Sequence, residues 1–341
     1  MNIRKILLTL LLVAPGVALA KNDNPYSRIY AFGTSLSDEG NAFIACGGQL
    51  VPPYENLDIY TLYAAPGDSP YARGGHQFSN GSTWVDALAK SLGVANSALP
   101  VLQNPVGTNY AQAGTTAIPD GPLGPLPCRV SFAKQIENAL ARGAIPSDAL
   151  VTVEIGSNDV INALLFFVNA ITEVGLDPLT ASAATKSTVL EPAAGLTALG
   201  INQLIAGGAS ALLWTTVPDI GLTPSIAILD AQLQLLGFPA GLIIATATDF
   251  AETYNARVQS YIQLAIDDGT IVMFDLFHIL QEIVYGGNND EFVNVTDACV
   301  TPNQPPFACM KPDSYLFWDG IHPTKATHDF FAVKAIEALG L

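Results

Sequence analysis

Hydrophobic and polar residues fall in blocks along this chain, and the first block stands apart from the rest. Residues 6–13 are an almost unbroken apolar run, preceded by Arg4 and Lys5 and followed, through Pro15 and Gly16, by Ala18-Leu19-Ala20. A basic start, a short apolar core and a small-x-small exit mark a secretory signal peptide, and the core is too short to span a bilayer. Residues 1–20 are therefore expected to be removed on export to a periplasmic or extracellular location. No transmembrane anchor is expected in the mature chain.

Beyond the leader the pattern changes period. Residues 28–32 read as a short strand running into Gly33. Residues 149–155 are apolar and β-rich and stop at Gly156, as a parallel strand buried on both faces should. Residues 211–217, ended by Pro218, and residues 271–275 repeat that signature. Helical spacing lies between them: residues 83–92 put Trp84, Leu88 and Leu92 on one face. Further helices are predicted over 132–142, 194–207, 246–267 and from about Lys325 onward. Strands alternating with helices predict an α/β sandwich on a mostly parallel sheet with right-handed crossovers. Neither an internal repeat nor a low-complexity linker divides residues 21–341, so they read as a single domain.

Two stretches exceed what such a sheet needs. One is 160–193, apolar and then rich in Ala and Thr. The other is 223–245, where Ile226, Ile228, Leu229, Leu233, Leu235, Leu236 and Phe238 crowd together. The preferred reading makes them extra core helices; the sharper one makes one of them an apolar wall or lid over an acyl-binding pocket.

Composition narrows the picture. Half of the residues are hydrophobic and 13% are charged, which leaves ample material for a core. The formal net charge is −16, and loss of Arg4 and Lys5 with the leader deepens it by two. So acidic a surface argues against binding nucleic acid or anionic membranes by charge attraction. The four cysteines are Cys46, Cys128, Cys299 and Cys309. An even count in an exported chain points to disulfides, and local spacing favours Cys299–Cys309 with Cys46–Cys128 among the three pairings. A zinc site competes poorly, because there is no Cys-x-x-Cys pair and no His at ligand spacing from a Cys.

The candidate chemistry starts at Ser35, at the carboxyl end of the first strand, where open α/β folds place ligands. It does not sit in a Gly-x-Ser-x-Gly elbow, since position 37 is Ser. A serine nucleophile needs a base, and the chain offers only His76, His278, His322 and His328. His322 follows Asp319 by three residues, with Gly320 between them. A loop there can bring the carboxylate to Nδ1 while Nε2 takes the Ser35 proton. For a tetrahedral oxyanion, Asn158 follows a buried strand and offers an amide, and Gly114 can present a backbone N–H from a turn. The plain readings of the rest are a surface-loop His76, a satisfied core His278, a helix-surface His328, and an Asp159 that supports its turn.

Four blocks, in order, resemble those of the GDSL or SGNH hydrolase superfamily: Gly33-Thr34-Ser35-Leu36, Asn109 through Gly114, Gly156-Ser157-Asn158-Asp159, and Asp319 through His322. Longer stretches are similar to its lipase-like branch: Ser35-Leu36-Ser37-Asp38-Glu39-Gly40-Asn41, Gln77-Phe78-Ser79-Asn80-Gly81-Ser82-Thr83-Trp84-Val85, Val217-Pro218-Asp219-Ile220-Gly221-Leu222-Thr223-Pro224, and Tyr315-Leu316-Phe317-Trp318-Asp319-Gly320. The resemblance implies a three-layer, flavodoxin-like α/β/α fold and no metal or organic cofactor. It implies Ser35 as nucleophile, His322 as base, Asp319 as its orienter, and the Ser35 and Gly114 N–H groups with the Asn158 amide as oxyanion hole. Thr34 departs from the motif's Asp, which is not the proton relay; a threonine hydroxyl can cap the turn locally. The implied reaction is hydrolysis of carboxylic esters, lipid acyl esters foremost. A carbohydrate O-acetyl esterase, a phospholipase or acyltransferase, and a non-catalytic binding protein on the same fold remain as alternatives.

Overall fold

Every residue of the strand Ala149–Glu154 is buried, which is why its sequence reads as an apolar run and not as an alternation. This strand, β2, lies next to β1 (Arg28–Gly33), followed by β3 (Ala211–Thr215) and β4 (Ile271–Phe274). All four are parallel, in the order β1-β2-β3-β4. The structure is a computed structural model and describes residues 24–45, 76–119, 129–286, 291–300 and 308–341. The expected leader (1–20) and the Cys46–Cys128 bridge lie outside the described residues.

Helices α1 (Asn41–Ala45), α2 (Trp84–Ser91), α3 (Phe132–Leu140), α4 (Ser157–Thr172), α5 (Pro178–Thr185) and α6 (Glu191–Ala206) occupy the first two-thirds of the chain. Then come α7 (Pro224–Leu235), α8 (Leu242–Asp267), α9 (Leu276–Tyr285) and α10 (Lys325–Ala338). The sheet separates two apolar layers. On one face Phe132, Leu164, Phe167, Ile201, Phe250 and Tyr254 pack on Val151, Val153 and Trp214. On the other, Trp84, Leu88, Leu280 and Phe331 pack on Ile29, Ala31, Leu150 and Leu213. Alternate residues of β1 to β3 thus feed opposite layers, giving the α/β sandwich that the patterning predicts, with the three layers that the resemblance implies.

The edge beyond β1 was not legible from propensity. Residues 108–112 run along it: Ala31 N–H donates to Thr108 O at 3.0 Å, Tyr110 N–H to Ala31 O at 2.7 Å, and Gln112 N–H to Gly33 O at 3.1 Å. The chain therefore leaves β1 for one side of the sheet and returns across it to β2 on the other. In open α/β sheets that reversal opens a crevice at the carboxyl ends of the two strands concerned, here β1 and β2.

The two surplus stretches form α4 to α6 and α7. Val160, Leu164, Ala181 and Leu190 of the first stretch and Ile226 and Leu233 of the second are buried, as core helices require. Helix α5, a widened turn at Lys186–Leu190 and α6 make one continuous helix, Pro178–Ala206. Pro192 sits just after the widened turn, where its missing N–H interrupts the regular ladder. This helix is long and apolar enough to cross a membrane, but half of its apolar window is buried in the protein.

A second, two-stranded parallel sheet joins β5 (Asn294–Ala298) and β6 (Tyr315–Phe317). The Cys299–Cys309 disulfide, expected from spacing, follows β5 directly. Cys299 N–H and Val300 N–H donate to Phe317 O and Trp318 O, tying the bridged segment to the chain that enters the loop after β6.

Candidate functional site

β1 ends in a tight turn, closed by Ser37 N–H donating to Thr34 O at 3.2 Å, with Ser35 at its second position. Gln135, reaching from α3, clamps the residue before the turn: its amide accepts from Gly33 N–H at 3.0 Å and donates to Gly33 O at 2.8 Å. The turn runs on into Asp38, whose carboxylate accepts the N–H groups of Gly40 (2.7 Å), Asn41 (2.6 Å) and Ala42 (3.1 Å) at the start of α1. It also accepts Ala113 N–H at 2.9 Å, one residue before Gly114. Asn41 donates to Asn109 O and Ala111 O, and Asn109 donates back to Ser37 O at 2.8 Å. The serine block and the glycine block are thus wired together, and Gly114 takes a φ of +76°, where a side chain would be strained.

β6 delivers the histidine. Trp318 N–H donates to His322 O at 2.7 Å, closing a loop in which the buried Asp319 carboxylate is shared. Its Oδ1 accepts Ile321 N–H at 2.9 Å and His322 N–H at 2.7 Å, and its Oδ2 meets His322 Nδ1 at 2.7 Å. On the far side of the ring, His322 Nε2 lies 2.8 Å from Ser35 Oγ. The Gln77-to-Thr83 segment cradles this loop: the Phe78 ring lies 5.4 Å from the imidazole, and Ser79 Oγ donates to Pro323 O at 2.9 Å. Asn80 Oδ1 accepts Lys325 N–H at 2.7 Å. Sequence reasoning did not assign Phe78 a role; only its place in a longer similar block signalled it.

β2 delivers the amide. Gly156, with φ +124°, turns the strand into α4; a Cβ there would fall 2.2 Å from the Tyr254 ring, so the close packing of that ring needs glycine. Asn158 Nδ2 donates to Thr115 O at 2.9 Å, next to Gly114, leaving a second N–H for another acceptor. Asp159 accepts Ala117 N–H (2.9 Å) and Ile118 N–H (3.2 Å), the turn-supporting task expected of it. Ser35, Asn158 and His322 line one pocket with Leu36, Ile161, Pro218, Ile220, Ile226, Leu280, Phe317 and Phe331. Gly114 stands beside the pocket and not in its wall. Ile161 and Ile226 come from the two surplus stretches, which therefore serve as core helices and as pocket wall.

Two histidine expectations are corrected. His328 is buried, not on a helix surface: α10 turns it toward α2, where its Nδ1 accepts Trp84 N–H at 3.3 Å. Burial pushes its pKa down to about 3, with the His322 and Lys325 charges adding to the shift. His278 is exposed, not in the core, and its Nδ1 meets Asp275 at 2.7 Å, because α9 buries Leu276, Phe277, Leu280 and Ile283 instead. His76 stacks on Phe43 at 3.5 Å, away from the pocket.

A sequence model of the GDSL-like lipase/acylhydrolase family matches residues 29–334. The chain belongs to that family. It is 24% identical over 361 residues to GDSL esterase/lipase 6 of Arabidopsis thaliana, covering 95% of this chain and 90% of that protein. It is 24% identical over 332 residues to the thermolabile hemolysin of Vibrio parahaemolyticus, covering 94% of this chain and 65% of that one. The GDSL esterase/lipase APG of Arabidopsis thaliana is 24% identical over 347 residues, with 90% and 89% covered. Family membership makes the chain a hydrolase of the GDSL type. Three of the four blocks that resemble the family's motifs, those of Ser35, Asn158 and His322, line the pocket, and the fourth, ending at Gly114, stands beside it.

Proposed function

We propose that this GDSL hydrolase is an exported serine esterase or lipase that cleaves carboxylic esters, lipid acyl esters foremost, through an acyl-enzyme on Ser35. The observation that carries this reading is the unbroken relay from Ser35 Oγ to His322 Nε2 at 2.8 Å and from His322 Nδ1 to Asp319 at 2.7 Å, opening on an apolar pocket. Ser35 Oγ attacks the ester carbonyl while His322 takes its proton, and Asp319 stabilises the imidazolium. The oxyanion is held by the N–H groups of Ser35 and Gly114 and by the second N–H of Asn158. The bond to the alcohol then breaks as His322 returns the proton to the leaving oxygen. Water, activated by the same imidazole, frees the acid and restores Ser35.

The cavity, about 60 Å³, is walled mainly by aliphatic and aromatic side chains. That wall suits a hydrocarbon acyl chain better than the acetyl group of a sugar, whose neighbouring hydroxyls would need polar partners. Likeness to a protein named as a hemolysin supports a second reading, a phospholipase or acyltransferase on membrane lipid.

The test is hydrolysis of p-nitrophenyl esters from acetyl to palmitoyl by the mature protein and by Ser35→Ala. The expected outcome is loss of activity in the variant and an optimum at acyl chains of intermediate length. A sharp preference for acetyl would transfer the assignment to a carbohydrate esterase, and activity that survives Ser35→Ala would end the serine mechanism. Export rests on the basic, apolar and small-residue order of residues 1–20. N-terminal sequencing of secreted protein should begin at Lys21, and an intact Met1 would refute cleavage.

A further inference from the structure

The two corners of the turn that carries Ser35 are fastened to one buried carboxyl group. Thr34 donates its N–H to Glu154 Oε2 at 2.9 Å, and its hydroxyl lies 2.9 Å from both Oε1 and Oε2. Ser37 donates its hydroxyl to Oε2 at 3.2 Å, and that hydroxyl in turn accepts Trp84 Nε1–H at 3.1 Å. Thr34 and Ser37 are the first and fourth residues of the turn, so Glu154 grips both ends and leaves Ser35 to project from between them. The fit is close. Glu154 pairs with Gly33 across β1 and β2, and a Cβ on Gly33 would come within 3.0 Å of Oε2 and of the Ser37 side chain.

Glu154 also closes the strand that delivers Asn158, four residues on. One side chain therefore ties the element bearing the nucleophile to the element bearing the amide. A carboxyl group is an expensive way to fill space here: Glu154 is 2% exposed, and each hydrogen-bond partner is a neutral N–H or hydroxyl. Burial pushes its pKa up to about 7 despite those bonds. Thr34 occupies the position where the motif has Asp, and its hydroxyl turns across the sheet to β2 instead of capping its own turn.

We propose that Glu154 is a positioning residue for Ser35, and that Thr34 and Glu154 form an acid–hydroxyl pair whose acid sits on β2 instead of on the turn. The proposal rests on the reading of Ser35 as nucleophile. It has a consequence opposite to motif repair. Asp at position 34 would set a second carboxyl against Glu154, and two carboxyls at that distance cannot both ionise in place.

The experiment compares Glu154→Ala, Glu154→Gln, Thr34→Asp and the double variant Thr34→Asp/Glu154→Thr with wild type and Ser35→Ala. The readouts are the rate of labelling by a fluorophosphonate probe, kcat and KM on the best p-nitrophenyl ester, and the melting temperature. Displacing the nucleophile by a fraction of an ångström should lower kcat and labelling by about 10- to 100-fold in Glu154→Ala and in Thr34→Asp, with KM within about twofold. Glu154→Gln, which still offers an acceptor, should keep most of the rate, and the double variant should recover most of what Thr34→Asp loses. Wild-type labelling in Glu154→Ala, or a double variant no better than Thr34→Asp, would overturn the proposal while leaving the nucleophile intact. If Glu154→Ala does not fold, the comparison of Thr34→Asp with the double variant decides it. Wild-type labelling that does not depend on Ser35 would instead overturn the nucleophile reading, and this proposal with it.

Discussion

Asp319 performs two tasks that a substitution can separate. Oδ1 holds the loop by accepting two backbone N–H groups, and Oδ2 faces His322 Nδ1. Asn at 319 keeps an acceptor for the backbone but turns an NH₂ donor toward Nδ1. The imidazole must then carry its proton on Nε2, where it can no longer accept from Ser35. Asp319→Asn should therefore lower kcat by about 10²- to 10⁴-fold while the melting temperature moves by only a few degrees. Steady-state kinetics beside a thermal melt checks this, and a variant with near-normal kcat would remove Asp319 from the relay. Asp319→Ala is the weaker probe, because it also strips the loop of its anchor.

Among elements, the Cys299–Cys309 bridge closes a loop of sequence separation 10 beside the chain that enters the Asp319 loop. Replacing both cysteines with serine should cost about 2–3 kcal/mol by the loop-entropy argument. Urea unfolding with a lower midpoint is the expected signature; an unchanged midpoint would mean that packing alone holds β5 on β6. The elements that carry long apolar periods, β1 to β4, α2, α3, α6, α8 and α10, were legible in the sequence. β5 was not, because its residues are half-buried or exposed and carry no apolar run, and the 108–112 edge is held by backbone bonds that leave no side-chain pattern. Of the two misplaced histidines, His328 was an error of helix phase, while His278 lies on a helix, α9, that the apolar stretch around it did not reveal. His328 falls three residues before the buried Phe331 and seven before Ala335, a face that the sequence did show. Ser35, Asp319 and His322 were marked in the sequence by the resemblance of their blocks, and the fold brings their side chains within hydrogen-bond distance of one another. Glu154 was not, because it sits inside the apolar run of β2 and its role appears only when that strand is laid against the end of β1.

At the scale of the whole molecule, four acids withdrawn from solvent stand around the site: Asp38, Glu154 and Asp159 are buried and Glu39 is half-buried. Burial raises the pKa of Glu39 and Glu154 to about 7 and of Asp38 and Asp159 to about 6, against the pull of the N–H and hydroxyl donors around them. In the unfolded chain these groups titrate near about 4. Between roughly pH 4 and pH 7 the folded state therefore holds more protons than the unfolded state, so stability must fall as pH rises through that window. His328 works the other way: with its pKa lowered to about 3, its contribution is lost as pH falls below about 6.5. Four acids outweigh one histidine, so the melting temperature should be higher near pH 5.5 than near pH 8. The net charge of −16 pushes in the same direction, since protonation at lower pH relieves self-repulsion. Salt separates the two causes, because it screens long-range repulsion but not a buried carboxyl. In high salt the trend should persist and should flatten in Glu39→Gln, whose amide can still accept from Thr83 N–H. A melting temperature that rises from pH 5.5 to 8 would show that these acids are already ionised in the folded protein.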